Sequence, residues 1–133
     1  MLKVKILPSL LAADMGNLAG GARLAEAAGG DALHVDIMDG HFVPNISMGP
    51  AAVAAVRRAT GIPLSVHLML THPDRFVKRF AEAGAHYLLI HVEAECDVMA
   101  TLKEIRSLNV IPGITLNPGT PADRAFPFLD AVD

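Results

Sequence analysis

The sequence predicts an α/β fold built on a parallel sheet, and three observations carry this prediction. Strand-like apolar runs alternate with helix-like stretches along the chain. The strand-like runs start at residues 4, 32, 63, 87 and 110, at intervals of 28, 31, 24 and 23 residues, which is the period of a repeated βα unit. The chain also lacks a G-x-G-x-x-G loop, since residues 16–21 read GNLAGG. Together these features favour a (β/α)₈ barrel of the TIM type over a doubly wound sheet, here an incomplete barrel of about five βα units.

The elements follow one another in regular order. Strands are predicted at residues 4–11, 32–37, 63–69, 87–92 and 110–116, and helices at residues 18–28, 49–59, 73–83 and 98–108, with a shorter helix at 121–129. The junctions AEAAGGDAL (25–33) and AEAGAHYLL (81–89) share one design. Each ends a helix with an alanine-rich turn and supplies a glycine for the left-handed cap before a strand begins.

Capping residues mark the starts of the predicted helices. Asn17 and Ser47 are placed to cap the first and second helices, and Pro50 and Pro73 fall in first turns. A complete barrel of this kind takes roughly 250 residues, and this chain has 133. Residues 130–133 read as the start of a sixth strand. We therefore expect residues 1–133 to be the N-terminal part of a single barrel domain that lacks the last strands.

Composition argues against several classes of function. The net charge is −3, no basic stripe is present and aromatic residues make up 5% of the chain, so a nucleic-acid partner is not expected. The apolar run 6–13 is short and interrupted by Pro8, unlike a signal peptide, and no stretch is long enough to span a membrane. Cys96 is the only cysteine, which predicts no disulfide and a reducing, cytoplasmic location. Hydrophobic residues reach 52%, as in a chain whose surface is partly covered.

The second predicted strand carries unexpected polar residues. His34, Asp36 and Met38 alternate with apolar neighbours in LHVDIM (33–38), so these three side chains point to one side. Burying a charge costs several kcal/mol unless it is paired or bound to a metal. The other strand ends add Ser9, His67, Met69, His91, Glu93 and Asn117. In barrels of this kind the chemistry lies at the C-terminal ends of the strands, where these residues are predicted to collect.

Two imidazoles and a carboxylate facing one cavity form a ligand set for Zn²⁺, Fe²⁺ or Mn²⁺. His34, Asp36 and His67 are the candidates. Each residue also has a simpler interpretation. A histidine in a strand can be a hydrogen-bonded core residue, Met38 and Met69 can fill the core, and Ser9 can bond its own backbone.

The remaining polar residues are assigned simpler roles. His91 and Glu93 can pair with each other. Three further histidines are interpreted as loop or surface residues, namely His41, His72 and His86. Cys96 is interpreted as a small packed side chain.

Five segments of the chain resemble the ribulose-phosphate 3-epimerase family. They read ILPSLLAADMGNL, HVDIMDGHFVPNISMGP, VHLML, HVEAE and GITLNPGTP, occur in the family's order and cover essentially the whole chain. The resemblance implies a ribulose-phosphate-binding (β/α)₈ barrel with one divalent metal ion, zinc, iron or manganese. It also implies interconversion of D-ribulose 5-phosphate and D-xylulose 5-phosphate in the pentose phosphate pathway, through an enediolate.

The resemblance assigns roles to residues one by one. His34, Asp36 and His67 correspond to metal ligands, and Asp36 also to one of two catalytic acid/bases. Ser9 and His67 correspond to substrate contacts, and Met38 and Met69 to thioethers that line the reaction centre. The family's second catalytic aspartate and its phosphate-gripping loops follow later strands that this chain lacks. We therefore expect the isolated chain to be inactive, to self-associate or be partly molten, and to bind metal weakly. The protein itself is expected to form a homo-oligomer.

Three alternatives stay open. A hexulose-6-phosphate 3-epimerase, such as one acting on allulose 6-phosphate, shares the His/Asp/His set, although HVDIMDGHFVPN fits the pentose enzymes better. Related barrel decarboxylases carry an Asp-x-Lys-x-x-Asp set on the third strand, where this chain reads SVHLMLTHP without a lysine. The chain can also be a non-catalytic truncated barrel fragment.

Overall fold

The computed structural model describes residues 4–133, so residues 1–3 of the predicted domain lie outside the described residues. Four parallel strands form one sheet in the order β1-β2-β3-β4. The strands are β1 (Leu33–Met38), β2 (Leu64–Met69), β3 (Tyr87–His91) and β4 (Ile111–Thr115). The helices are α1 (Leu18–Ala27), α2 (Pro50–Ala59), α3 (Val77–Glu82) and α4 (Val98–Ser107). Strand and helix alternate as the sequence predicts, and the α/β fold is confirmed.

The predicted strand at residues 4–11 is wrong, because these residues form no strand. Its backbone pairs with the sheet through hydrogen bonds from Asp31 N–H to Ile6 C=O and from His34 N–H to Pro8 C=O, each 2.9 Å. The structure assigns a single parallel bridge there, between Ser9 and His34, and no strand. The chain then turns into a 3₁₀ helix at Leu10–Ala12. Pro8 has no N–H to donate to a ladder, which limits the pairing of this edge segment.

Two helices also differ from their predictions. Residues 73–83 divide into a 3₁₀ turn at Pro73–Arg75 and the short α3. The segment predicted at 121–129 is a 3₁₀ helix at Ala122–Ala131 with Pro127 inside it. A proline in a helix interior removes one N–H donor and its ring clashes with the preceding turn, which disfavours the α form.

The capping predictions are confirmed for Asn17 and wrong for Ser47. The Asn17 side chain accepts a hydrogen bond from Gly20 N–H at the start of α1. Gly49, not Ser47, is the N-cap of α2, and Pro50 occupies its first turn. The Ser47 hydroxyl instead donates to Asp36 C=O at 2.6 Å and accepts from Met38 N–H at 3.0 Å. Ser47 therefore satisfies backbone groups at the end of β1 rather than a helix.

The two faces of the sheet have different environments. On β1, Leu33, Val35 and Ile37 are almost completely buried, whereas the alternating residues are half-buried. The helices cover the buried face with apolar side chains, including Val53, Val56, Phe80, Leu102 and Ile105. Burying one such side chain contributes about 1.5–3 kcal/mol to stability. The opposite, inward face stays open and contains a groove of about 310 Å³ lined by residues such as Tyr87 and Leu89.

Parallel register places the inward-facing residues in rows across the sheet. Asp36 on β1 is paired with His67 on β2, and Met38 is paired with Met69 one row closer to the strand ends. His91 on β3 is paired with Thr115 on β4. The polar side chains predicted at the strand ends are therefore brought to one end of the inward face. No helix within residues 4–133 combines the length and the apolar character needed to cross a bilayer.

Gly84, in the turn between α3 and β3, has a backbone conformation that favours glycine. Its φ is +104°, and a Cβ atom added there would lie 2.5 Å from Cγ of Arg57. The Arg57 guanidinium donates hydrogen bonds to the carbonyl oxygens of Thr60 and Ile62, so this side chain is fixed at the end of α2. A side chain at residue 84 would have to displace it.

We expect Gly84→Ala to lower the free energy of unfolding by at least about 1–2 kcal/mol, the cost of a left-handed conformation for an L-residue. Urea unfolding followed by circular dichroism measures the change. Gly119→Ala is the matched control, because a Cβ there meets no atom within 4 Å. Equal stabilities of the two variants would contradict the role assigned to Gly84.

Candidate metal centre

The candidate centre lies where β1 and β2 end. His34 and Asp36 are two residues apart on β1, and His67 is the register partner of Asp36 on β2. One ligand atom from each of these three residues lies within 4.8 Å of the others. The structure thus brings together the three residues that the sequence singled out, because strand alternation and parallel register leave them adjacent on one face.

The Asp36 carboxylate is at the centre of the cluster. Its Oδ1 lies 3.2 Å from His34 Nε2 and 3.1 Å from His67 Nδ1. Its Oδ2 accepts a 2.7 Å hydrogen bond from the Ser9 hydroxyl. Burial alone would raise the pKa of Asp36, but the hydrogen bond from Ser9 and the neighbouring His34 and His67 hold this pKa below its ordinary value. The carboxyl group is therefore ionised at neutral pH.

Serine hydroxyls support both sides of the cluster. Ser9 reaches Asp36 because the parallel bridge to His34 aligns the N-terminal segment with β1. Ser65, two residues before His67 on β2, places its hydroxyl 3.3 Å from His34 Nδ1. Sequence reasoning did not single out Ser65. Its spacing of two residues from His67 on the same strand places both side chains on one face, and this spacing could have identified Ser65.

The two methionines lie side by side in the row above the cluster. Met38 and Met69 are register partners, and Met69 is buried. The Sδ atom of Met38 also accepts a hydrogen bond from the Asn45 side-chain amide at 3.5 Å. Asn45 belongs to the loop that follows β1. The thioethers therefore border the cluster on the side of the strand ends.

A second set of polar residues continues from His67. His67 Nε2 lies 2.8 Å from His91 Nε2, and His91 Nδ1 lies 3.1 Å from Glu93 Oε2. Glu93 Oε1 accepts from the backbone N–H of Asn117 at 2.8 Å. The pairing of His91 with Glu93 matches the sequence interpretation. The contact between His91 and His67 was missed, because the two residues belong to different rows of the sheet.

Burial changes the proton affinity of these groups. Desolvation lowers the pKa of His67 and of His91 below the ordinary imidazole value, although Asp36 and Glu93 respectively oppose the shift. Burial would raise the pKa of Glu93, but hydrogen bonds from the Thr120 side chain and the Asn117 amide lower it overall. These shifts favour neutral imidazoles at His67 and His91 beside an ionised Glu93 at neutral pH.

Other histidines lie outside the cluster, as the sequence predicts. His41 and His86 are exposed, and His72 is half-buried with its Nδ1 2.8 Å from Glu95 C=O. Cys96 is half-buried, and burial raises the pKa of its thiol. Thr115, the register partner of His91, has a buried hydroxyl without a hydrogen-bond partner among residues 4–133.

The donor set suits a divalent transition metal. Two imidazole nitrogens and one carboxylate oxygen converge, and the lowered pKa values of Asp36 and His67 favour the carboxylate and the neutral imidazole that bind metal. Imidazole with carboxylate is a ligand combination that Zn²⁺, Fe²⁺ and Mn²⁺ accept. His34, Asp36 and His67 could therefore hold one such ion.

Comparison with known proteins identifies the family. A family model described as the ribulose-phosphate 3 epimerase family matches residues 5–133. The chain belongs to the ribulose-phosphate 3-epimerase family. This assignment confirms the resemblance found in the sequence.

Curated relatives of this family member include three that carry the family name. The ribulose-phosphate 3-epimerase of Bacillus subtilis (strain 168) is 45% identical over 132 residues, covering 97% of this chain and 61% of the relative. That of Rhodobacter capsulatus is 44% identical, covering 98% and 57%. The chloroplastic ribulose-5-phosphate-3-epimerase of Arabidopsis thaliana is 42% identical, covering 96% and 46%. The chain thus spans 46–61% of the length of these relatives.

Solved structures match the fold of this family member. KGPDC from Streptococcus mutans, a TIM barrel, has a TM-score of 0.69 at 17% identity, covering 95% of this chain and 58% of that chain. A mandelate oxidase mutant with (S)-mandelic acid has a TM-score of 0.62 at 15% identity, covering 85% and 43%. At these identities the likeness shows the fold alone, an incomplete barrel here.

We expect one Co²⁺, a spectroscopic substitute for Zn²⁺, to bind each chain through the cluster. His34→Gln should weaken Co²⁺ binding at least about 100-fold, more than the 10–100-fold typical of losing a residue that only supports a ligand. Visible absorption titration measures the affinity. His41→Gln, which replaces an exposed histidine, is the control. Equal Co²⁺ affinity in the two variants would remove His34 from the ligand set.

Proposed function

We propose that this chain is the metal-binding part of a ribulose-phosphate 3-epimerase, an isomerase that interconverts D-ribulose 5-phosphate and D-xylulose 5-phosphate. The observation that carries the proposal is the convergence of His34, Asp36 and His67 in a chain of this family. The names of the relatives support the choice of a pentulose phosphate. In this proposal residues 1–133 form the N-terminal part of one ribulose-phosphate-binding barrel domain.

His34, Asp36 and His67 are the residues that would hold the divalent ion, zinc, iron or manganese. When bound, the ion supplies positive charge that stabilises the enediolate formed as C3 of the sugar loses its proton. The distances from Asp36 Oδ1 to both imidazoles, 3.1 and 3.2 Å, support a shared role for these three groups.

Asp36 is proposed to move the proton at C3. Its Oδ1 faces the two histidines, so we assign proton transfer to Oδ2, the atom that accepts from the Ser9 hydroxyl. The lowered pKa of Asp36 supports an ionised carboxylate at neutral pH, the form that can accept a proton. Ser9 holds the carboxylate in place and, with His67, would contact the substrate.

The methionines are proposed to line the reaction centre. Met38 and Met69 lie next to each other, one row above Asp36 and His67. Thioethers neither donate nor take up protons at neutral pH, so they would exclude water from the C3 position without competing with Asp36. The hydrogen bond from Asn45 to Met38 Sδ supports a fixed position for one of them.

Inversion at C3 needs a second acid on the opposite face of the sugar. Within the described residues the ligand cluster holds a single carboxylate, that of Asp36. The relatives extend well beyond the part that this chain matches. We assign the second acid and the groups that grip the phosphate to that further part of the barrel.

The setting of the protein belongs to the same proposal. We propose a cytoplasmic homo-oligomer that acts on a small sugar phosphate in the pentose phosphate pathway, with no nucleic-acid or membrane partner. The single cysteine and the net charge of −3 support this setting. One relative, from Oryza sativa subsp. japonica, is named as a cytoplasmic isoform.

The catalytic role of Asp36 is tested in a chimera that joins this chain to the part of the Bacillus subtilis relative that it does not span. We expect Asp36→Asn in the chimera to reduce turnover of D-ribulose 5-phosphate by at least about 100-fold, the low end for loss of a general acid/base. Exchange of the C3 proton with solvent deuterium, followed by NMR, should fall in parallel.

Asp123→Asn is the control for this prediction, because Asp123 is exposed and lies outside the cluster. Near-normal C3 exchange in Asp36→Asn would refute the assigned role. Turnover of D-allulose 6-phosphate, compared with that of D-ribulose 5-phosphate, distinguishes a hexulose-phosphate epimerase from the proposed pentulose-phosphate epimerase. A higher rate on the hexulose phosphate would overturn the proposed substrate.

The 133-residue chain on its own is expected to self-associate and to show no detectable epimerase activity. The outer edge of β4 pairs with no strand among residues 4–133, and Ile111 on that strand is 37% exposed. The ligand cluster also supplies no second acid. Light scattering gives the mass, and assays with added Zn²⁺, Fe²⁺ and Mn²⁺ give the activity. A monomer that turns over substrate as fast as the chimera would contradict this expectation.

A further inference from the structure

The His86 side chain closes the N-terminal end of β2 and takes no part in the candidate metal centre. His86 Nδ1 accepts a hydrogen bond from the Leu64 backbone N–H at 3.2 Å. The His86 backbone N–H donates to Leu64 C=O at 2.9 Å, and His86 C=O accepts from Ile111 N–H at 2.9 Å. His86 therefore joins the starts of three strands, and its imidazole supplies one of these hydrogen bonds.

The Leu64 N–H is a buried donor that needs this imidazole. Leu64 is 0% exposed, so water does not reach its backbone. Pro63, the residue before it, has no N–H, which makes Leu64 the first backbone donor at this end of β2. A buried N–H without an acceptor destabilises the fold by the cost of its desolvation. The imidazole nitrogen of His86 thus takes the place of a carbonyl oxygen from the neighbouring strand.

An imidazole accepts a hydrogen bond through Nδ1 only while it is neutral. In the imidazolium form both ring nitrogens carry a proton and neither can accept. The Leu64 N–H and the Nδ1–H group would then face each other as two donors. Binding of a proton to His86 therefore breaks this hydrogen bond, whereas the two hydrogen bonds of the His86 backbone stay possible.

We propose that His86 is a pH-sensitive latch, which holds the start of β2 to β3 while its imidazole is neutral and releases the Leu64 N–H when a proton binds to Nδ1. The inference is independent of the proposed metal site and of the proposed reaction. It gives a function to a histidine that the sequence suggested was only a surface residue.

The surroundings of His86 favour the neutral ring. A cavity of about 470 Å³ beside it gives the ring room to turn toward solvent, and Arg57 from α2 and Tyr87 line this cavity with it. Among the described residues that line the cavity, none is a carboxylate. Desolvation lowers the pKa of the His86 imidazole, and the positive charge of Arg57 lowers this pKa further, although the Gly84 backbone opposes the shift. An imidazolium at His86 therefore has no anionic partner in this cavity.

The sign of the pH dependence follows from these contacts. The folded chain disfavours the imidazolium form of His86, whereas the unfolded chain binds the proton near the ordinary imidazole pKa of about 6.5. The stability that the latch contributes is therefore complete above about pH 6.5 and is lost as the pH falls toward the lower pKa of the folded state. Over that range the titration of His86 should raise the unfolding equilibrium constant by up to about tenfold per pH unit.

His86→Asn separates the titration from the hydrogen bond. The asparagine Oδ1 stands where Nδ1 stands, accepts from an N–H and does not titrate. Urea unfolding of the 133-residue chain, followed by circular dichroism at one protein concentration between about pH 8 and about pH 5, gives the unfolding constants. We expect the unmodified chain to lose more stability on acidification than His86→Asn. His67 and His91 are present in both proteins, so the difference belongs to His86.

Equal pH dependence of these two proteins would overturn the latch. His41→Asn, which replaces an exposed histidine, is the control and should not reduce the pH dependence. In a further variant, His86→Leu, the Leu64 N–H loses its acceptor at every pH. Its unfolding constant at neutral pH should exceed that of His86→Asn by about 5–150-fold, the cost of an unpaired buried N–H. Equal stability of the leucine and asparagine variants would refute the role of Nδ1 as an acceptor.

An NMR titration follows His86 directly, without any variant. The ¹H–¹³C signals of its imidazole give its pKa in the folded chain and in the same chain unfolded in urea. We expect the pKa of His86 to be lower in the folded chain, because the Leu64 N–H and Arg57 both disfavour the imidazolium. The same pKa in both states, or a higher one in the folded chain, overturns the inference whatever the variants show.

Discussion

The register between β1 and β2 is the constraint on which the candidate site depends. Pairing of Asp36 with His67 places a carboxylate and an imidazole side by side on the inward face. A shift of one residue would turn His67 toward the helices, where Leu64, Val66 and Leu68 are completely buried. The apolar core on one face of the sheet therefore fixes the positions of the polar side chains on the other face. The register is fixed by hydrophobic burial, and the cluster inherits its geometry from it.

Ionised and neutral groups share this space because each charge has partners. Asp36 accepts from Ser9 through one oxygen and faces two imidazoles through the other. Glu93 accepts from a backbone N–H and faces His91. A buried carboxylate without such partners would cost several kcal/mol. These hydrogen bonds and contacts offset the cost of burying the carboxylates on the inward face of the sheet.

Much of this architecture follows from the sequence. Regular spacing of apolar runs predicts the alternating strands and helices, and the two-residue spacing of His34 and Asp36 predicts a shared face. The strand predicted at residues 4–11 does not form, because Pro8 limits backbone pairing at the sheet edge and only an isolated bridge remains. The prediction that Ser47 caps a helix is wrong, because a serine hydroxyl can equally bond backbone groups at the end of a strand, as it does here. The contact of His67 with His91 joins side chains from two different rows of the sheet. The spacing of residues along one strand does not predict such a contact.

The contacts from Asn117 through Glu93 and His91 to His67 join residues that the ribosome adds at different times. The candidate ligands His34, Asp36 and His67 come from the first two strands, whereas the backbone N–H that holds Glu93 belongs to Asn117. Ribosomes extend a chain at about 5–20 residues per second, so several seconds separate the synthesis of His67 from that of Asn117. During that interval His67 and its neighbour Asp36 are already present, but the backbone N–H that holds Glu93 is not. The contacts of Asp36 with His34 and His67 use only the first two strands and can form early, whereas the Glu93 carboxylate gains its backbone donor last.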